Sequence, residues 1–375
     1  MYHNTILYII FIPICYYAGR EKRGFSVTSD TVLRNTYKKE KRMGHTIEPV
    51  RVGNALVGPG HPTYVIAEIG INHNGDTDLT KKLIDIAANA GAHAVKFQTR
   101  TIPVVYSPQD LQKPRPDIVE KGLPYLKNAI TRRVIPAHCL TRLETSNFKD
   151  GRTEEQKYML EFTDYEYGEI DAYCAQVGIA WSVSCWDVAS VERMEQFNLP
   201  FHKIASPCNE DDDLLVAMRA TGRPLIFSTG MSTLESIRVS IGLLGGTDNL
   251  ILMNCTSVYP QGTSTPELVL PLVNLRGIGT LREAFGVPVG QSSHDTGIVP
   301  TYAAVAQGAD LIEKHITIER GMYGSDQAAS VEPDEFARLC QWIRDLQLAN
   351  GDGKITIYPD EQAAINKLRR VRRVI

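Results

Sequence analysis

Residues 64–76 read YVIAEIGINHNGD, and the fold turns on how the chain leaves the strand in that stretch. Tyr64 to Gly70 form an apolar run of strand type, and a segment of helical period begins at residue 79. A strand leading into a helix opens a doubly wound sheet as readily as a closed barrel. A dinucleotide-binding sheet would carry a G-x-G-x-x-G turn here, and INHNGD has none. The same unit then recurs along the chain. AVKFQT, AWSVSCW, FHKIAS, LIFSTG, LILMNCTS, VPVGQSS and LIEKHIT come next, in that order. Helical patterns between them cover residues 79–92, 165–178, 188–198, 211–222, 232–245 and 297–309, several ending in Gly as a left-handed cap would. Eight strands alternating with helices argue for an α/β fold of the (β/α)8 TIM-barrel type.

The composition agrees with a folded enzyme-sized chain. Of 375 residues 43% are hydrophobic, enough for a substantial core, and the formal charge of −3 provides no field for nucleic acid or an anionic membrane. Seven cysteines (Cys15, Cys139, Cys174, Cys185, Cys208, Cys255, Cys340) lack CxxC pairing, which suits reduced thiols and a cytoplasmic location. The apolar run Ile6 to Tyr17 is too short to span a bilayer, which takes roughly 20 residues. We read Met43 as the translation start, which makes residues 1–42 an extension, untranslated or disordered. The barrel is then expected over 43–350 and a linker or tail over 351–375. Residues 100–164 read as an irregular connection far longer than an ordinary βα loop. In a barrel it would lie on the active-site face, as a lid or substrate-shaping insertion.

Barrel active sites lie at the C-terminal ends of the strands, and the polar residues there are numerous. The first strand brings Glu68 and then Asn72 and His73; the second brings Lys96 and Gln98; the fourth brings Lys203 and Ser206. Ser228, then Asn254, Ser257 and Tyr259, then Ser292 and His294, then Glu313 and His315 end the last four. A lysine within an apolar strand is costly unless paired. Lys96 and Lys203 can therefore be ion-paired to Glu68 or Glu313, clamp a phosphate or carboxylate, or form a Schiff base. The hydroxyls of Ser206, Ser228 and Ser292 favour the clamp. His294 and His315 end successive strands and can share one divalent cation such as Mn²⁺, Zn²⁺ or Co²⁺, with open positions for water or substrate. Glu68 is the best general acid/base, with His73 as a competitor, although NHNGD also reads as a solvated turn. Asp326 reads as a loop acid or turn former, and Tyr259 as a rim aromatic or hydroxyl donor.

IAEIGINHNGD, AVKFQT, KIAS, STGMSTLESI, CTSVYP, SSHDTG and IEKHIT, with GSDQAASVEPDEF after them, resemble the sialic acid synthase (N-acetylneuraminate synthase) family over about residues 50 to 350. The resemblance implies condensation of phosphoenolpyruvate with the aldehyde of N-acetylmannosamine, or a related N-acylated sugar, to give a nine-carbon 2-keto acid and phosphate. It implies that Lys96, Lys203, Ser206, Ser228 and Ser292 hold phosphoenolpyruvate and that His294 and His315 ligate a divalent metal, Mn²⁺ or Mg²⁺, with Co²⁺ as a further option. By the same resemblance Glu68 handles protons, Gln98, Tyr259 and Asp326 contact the sugar, and the protein is a homodimer. Cys208 stands where some relatives carry an acid, and Ser257 where some carry Asn, which alters the metal surroundings and the substrate contacts. Family members continue past a linker like RRVRRVI into a small antifreeze-like domain. The expectation here is a barrel whose cap is absent, supplied by another chain or lost to truncation, with the insertion as a partial substitute. Two other readings stay open: a Schiff-base aldolase, and a non-catalytic barrel that binds phosphoenolpyruvate or sugar.

Overall fold

A computed structural model describes residues 47–258 and 266–371; the N-terminal extension of residues 1–42, Met43, Cys15 and Tyr259 lie outside them. An antiparallel hairpin, β1 (Val50–Val52) and β2 (Ala55–Val57), precedes the barrel. The barrel strands are β3 (Tyr64–Gly70), β4 (Ala94–Thr99), β5 (Ala180–Cys185), β6 (His202–Ile204), β7 (Leu225–Ser228), β8 (Leu250–Thr256), β9 (Val289–Ser293) and β10 (Leu311–His315). Their order is β5-β4-β3-β10-β9-β8-β7-β6, every ladder parallel. The remaining edges, β5 and β6, lie side by side, and Ser182 Oγ on β5 donates to the Phe201 carbonyl at 2.7 Å. The sheet therefore closes on itself as an eight-stranded α/β barrel.

The two-residue alternation of a strand decides which side chains enter the barrel. At the N-terminal end Tyr64, Ile66, Ala94, Phe201, Ile226, Ile251, Met253 and Leu311 form one apolar layer, which Val50, Val52 and Val57 of the hairpin plug from below. Two or four residues further along the same faces come Glu68, Lys96, Gln98, Ser184, Lys203, Ser228, Cys255, Glu313 and His315. The opposite faces, such as Val65, Ala67, Val95, Phe97 and Val183, pack against the helices. A dry floor thus lies beneath a polar upper layer.

The helices start and stop where their caps require. Asp76 accepts from Leu79 N at 2.9 Å to start Thr77–Ala90, and Gly91 ends it at φ 85°. Thr163 and Glu166 form a capping box on Asp164–Val177, and Gly178 ends it at φ 80°. Four helices are shorter than their patterns, two of them, Asp212–Ala220 and Leu234–Leu243, by three or four residues. Residues 188–198 divide into an α-helix, Val188–Met194, and a 3-10 turn, Glu195–Phe197, closed by Asn198 at φ 50°. Residues 297–309 are helical only over Val299–Ala306, where Pro300 suits the first turn.

The connection between β4 and β5 is a correction to the sequence reading. It is largely helical, with Leu123–Thr131, Ala137–Thr145 and Thr153–Leu160 among its segments. Ile118, Leu126, Ala129, Cys139, Leu143 and Met159 give it an apolar cluster of its own, joined by Ile71 from the loop after β3. Arg132 anchors it, 2.5 Å from Glu166 and donating to the Met159 and Glu161 carbonyls. Its length suggested an irregular connection, but the spacing of Leu126 to Ala129 and Cys139 to Leu143 is helical. Among the described residues no helix is long and apolar enough to cross a membrane. The six cysteines described are free and buried.

Candidate active site

The inward lysines are paired from the start. Lys96 Nζ lies 2.6 Å from Glu68 Oε2 and donates to Ser184 Oγ at 2.9 Å. Lys203 Nζ donates to Ser228 Oγ at 2.6 Å. Between them stands Glu313, whose oxygens lie 3.7 Å from Lys203 and 3.9 Å from Lys96, and which accepts from Ser292 Oγ at 3.1 Å. Gln98 Nε2 donates to Glu68 Oε1 at 3.1 Å. All four charged groups are buried, so two ammoniums and two carboxylates hold one another in place of water.

The two carboxyls have different environments. Burial raises Glu68 above the usual carboxylate range, and the Glu313 charge adds to the rise against the opposing pull of Lys96. Burial alone would raise Glu313 also, but Lys203 and Lys96 outweigh it and hold that group low. One carboxyl is thus poised to hold or release a proton near neutrality while its neighbour stays ionised. Lys96 is buried too, yet Glu313 and Glu68 keep it raised; Lys203, with no carboxylate as near, is lowered by burial.

Ser206 and Ser257 meet at Gly230. Gly230 N donates to Ser206 Oγ at 3.2 Å, and a Cβ on this glycine would fall 2.5 Å from that oxygen and nearer still to Ser257 Oγ. Gly230→Ala is therefore expected to raise the KM for phosphoenolpyruvate about tenfold while the fold survives, since overpacking costs about 1–3 kcal/mol. Steady-state kinetics with a thermal melt would check this; an unchanged KM would separate these hydroxyls from the substrate.

His294 and His315 sit at the mouth with ring centroids 5.4 Å apart. His294 Nδ1 lies 3.1 Å from the Thr256 carbonyl and, as the protonated nitrogen, leaves Nε2 as the donor for a cation. His315 Nδ1 is buried with no hydrogen-bond partner among the described residues. Burial, with His315 beside it, pushes His294 down to about 4, and burial lowers His315 as well. Both rings are consequently neutral nitrogen donors at pH 7. The Asp326 carboxylate, which accepts from Ser325 Oγ at 2.8 Å, acts on both rings and on Lys96. Two neutral imidazoles within reach of a carboxylate field fit an open divalent-cation site. No third close ligand joins them among the described residues, where the one such trio is His138, Cys139 and Glu154 in the insertion.

Neighbouring residues of the same motifs fix this mouth. Lys314, fully buried on the outer face, donates to the Asp295 carbonyl at 2.6 Å and lies 3.4 Å from its carboxylate. The residue after His294 is thereby tied to the residue before His315. Sequence reasoning missed this tie and Ser184; the alternation of Ala180, Ser182 and Ser184 was the available signal for the latter. His73 is corrected from a solvated turn to a buried one. It stacks on Phe162 at 4.3 Å, accepts from Gly75 N at 2.9 Å, and is pushed down to about 3 by burial and by Arg132. Asn254 turns outward, donating to Gln291 Oε1 at 2.7 Å. Cys208 is buried, and burial pushes its thiol up to about 12, so it adds no charge to the mouth.

Residues 83–355 match the NeuB family. The chain belongs to that family. Human N-acetylneuraminate-9-phosphate synthase is 33% identical over 315 residues, 83% of this chain and 78% of the human one. The N,N'-diacetyllegionaminic acid synthase of Campylobacter jejuni is also 33% identical, over 82% of this chain and 83% of its own. Among solved structures, the N-acetylneuraminic acid synthetase of Leptospira borgpetersenii in complex with citrate superposes with a TM-score of 0.65 at 26% identity, covering 88% of this chain and all of that one. As a NeuB-family protein this chain is a phosphoenolpyruvate-dependent nonulosonate synthase, and enzymes of the family use a divalent metal.

Proposed function

We propose that this protein condenses phosphoenolpyruvate with the open-chain aldehyde of N-acetylmannosamine, or a closely related N-acylated sugar, to give N-acetylneuraminate or a related nonulosonate plus phosphate. The observation that carries this reading is the Lys96–Glu313–Lys203 network lying beneath the His294–His315 pair. Lys96 and Lys203, with Ser206, Ser228, Ser257 and Ser292, receive the phosphate and carboxylate of phosphoenolpyruvate, whose charges displace the lysines from their internal partners. His294 and His315 hold the divalent cation, Mn²⁺ or Mg²⁺, which when bound supplies Lewis-acid polarisation of the aldehyde.

The enol carbon of phosphoenolpyruvate then bonds to the aldehyde carbon, water adds at C2, and the C2–O bond to phosphate breaks. Glu68, raised by burial, moves the proton that these steps require, and Gln98 orients it. The lysines stabilise charge on the departing phosphate from fixed positions. Asp326 and Tyr259 contact the sugar. A Schiff base on Lys96 is disfavoured because Glu313 and Glu68 keep its amine protonated.

The test is phosphate release from phosphoenolpyruvate and Mn²⁺ with a panel of N-acylated mannosamine-type and related aldoses. Chelator-sensitive release with one or more is expected. No release with any of them, or a borohydride-trapped lysine adduct with chelator-insensitive turnover, would overturn the reading.

A further inference from the structure

Arg100 stands one hydrogen bond from the proton-transfer pair, and nothing in the reaction so far uses it. It follows β4, and its Nη2 donates to Gln98 Oε1, while Gln98 Nε2 donates to Glu68 Oε1 at 3.1 Å. An amide is close to symmetric in shape, with an acceptor at one end and a donor at the other. Left alone beside Glu68, it could turn either end to the carboxyl, donating to the ionised form or accepting from the protonated one. A guanidinium carries donors only. With Arg100 against it, the acceptor end of Gln98 is committed, and the donor end faces Glu68.

What holds Arg100 is the insertion. Glu161 closes the helix Thr153–Leu160. Its Oε1 lies 3.1 Å from Arg100 Nη1, and its Oε2 accepts from Arg100 N at 3.0 Å and from Thr99 Oγ1 at 3.1 Å. The guanidinium also lies over the Trp186 ring, 4.5 Å from its centroid. One carboxylate thus grips both the backbone at the end of β4 and the side chain beyond it, and Arg100 and Glu161 are both buried. A buried ion pair is weak evidence for stability, since apolar residues of similar volume often serve as well. What apolar residues could not supply is a donor aimed at Gln98 Oε1.

We propose that Arg100, locked by Glu161, is a positioning residue for proton transfer: it fixes the Gln98 amide so that Glu68 Oε1 always receives a donor. A proton carried by Glu68 then sits on Oε2, the oxygen 2.6 Å from Lys96, which phosphoenolpyruvate frees when it draws that lysine away. The insertion is on this account a buttress of the proton-transfer pair, linked to it by the contacts Glu161 to Arg100, Arg100 to Gln98 and Gln98 to Glu68.

The test combines Arg100→Met with Glu161→Gln, so that neither buried charge is stranded and the amide oxygen at 161 still accepts from Thr99 and from the backbone N of residue 100. In protein labelled with ¹⁵N at its glutamine side chains, the Gln98 Nε2 protons are assigned by their loss in Gln98→Met. They are expected to exchange with water at least about tenfold faster in the double variant. An unchanged exchange rate overturns the proposal. The kinetic half, which rests on the reaction proposed above, is a mutant cycle. The double variant is expected to lose at least about tenfold in kcat, with the KM for phosphoenolpyruvate within twofold of the parent. Added to Gln98→Met, the same two changes should cost less than about twofold more, because the group through which Arg100 acts is already gone. Equal losses in both backgrounds overturn the proposal, by showing that Arg100 acts on the substrate or the fold directly, and so does an unchanged kcat. Glu161→Gln alone, which loosens Arg100 without removing it, is expected to show the same pattern at smaller size and decides the matter should the double variant not fold. A parent that releases no phosphate with any acceptor refutes the reaction, and the Gln98 exchange rate then decides the positioning by itself.

Discussion

Replacing His315 or His294 by alanine will abolish turnover while leaving the barrel folded. The expected loss in kcat is at least about 1000-fold, equivalent to about 4 kcal/mol of transition-state stabilisation. Several kcal/mol is what a cation that polarises a carbonyl supplies. Folding should survive because both rings sit at the strand ends, away from the apolar layer that closes the other end of the barrel. His315 Nδ1 bonds to nothing among the described residues, so its removal orphans no partner. His294 Nδ1 meets the Thr256 carbonyl at the open end of β8, which water can satisfy. The strand ends are held instead by Lys314 and Asp295, on the outer face and untouched by either substitution. Metal content by mass spectrometry, phosphate release and a thermal melt check the three parts. Full metal occupancy with kcat within tenfold of the parent in both variants would remove the cation from this position.

How much of this was legible in the sequence depends on the range of each interaction. AVKFQT sets Lys96 and Gln98 on one face and Val95 and Phe97 on the other, so the inward polar layer results from a two-residue period alone. Likewise Glu313 and His315 share the face of Leu311 in LIEKHIT. Burial of the first turn was not legible, because its partners are remote in sequence. Asn72 Nδ2 reaches the Ile316 carbonyl at 2.8 Å and Ser330 Oγ at 2.7 Å, more than 240 residues away. A polar NHNGD therefore looks like a solvated loop until the last strand closes beside the first. The insertion misled for a local reason: its helices are short and begin at prolines, as in Pro108–Leu111 and Pro116–Glu120, so no single window shows more than a turn or two of period. The family motifs narrowed the chemistry to residues that the barrel then brought together, but the division of labour between the two carboxyls required distances. Lys96 could have paired with either Glu68 or Glu313, and it lies 2.6 Å from one and 3.9 Å from the other.

That asymmetry yields a second large effect, on stability. Glu313 is the only carboxylate among the described residues within ion-pair distance of Lys203, whereas Lys96 keeps Glu68 as well. Glu313→Gln preserves the shape and the acceptor for Ser292 but leaves the Lys203 ammonium buried beside an amide. Removing one member of a buried pair costs about 3–5 kcal/mol, because the survivor stays desolvated without its counter-charge. A fall of about 3 kcal/mol in unfolding free energy is therefore expected from denaturant titration of the variant. Phosphate or phosphoenolpyruvate should then raise the melting temperature of the variant more than that of the parent. In the parent the arriving anion competes with Glu313 for the lysines, whereas in the variant it supplies the missing charge, and a ligand stabilises in proportion to its preference for the folded state. The KM for phosphoenolpyruvate should accordingly not rise. A variant as stable as the parent, with the same response to phosphate, would show that Glu313 does not balance the lysines. Lys203 would then have to be uncharged in the substrate-free barrel, and its part in binding phosphoenolpyruvate would have to begin with the uptake of a proton.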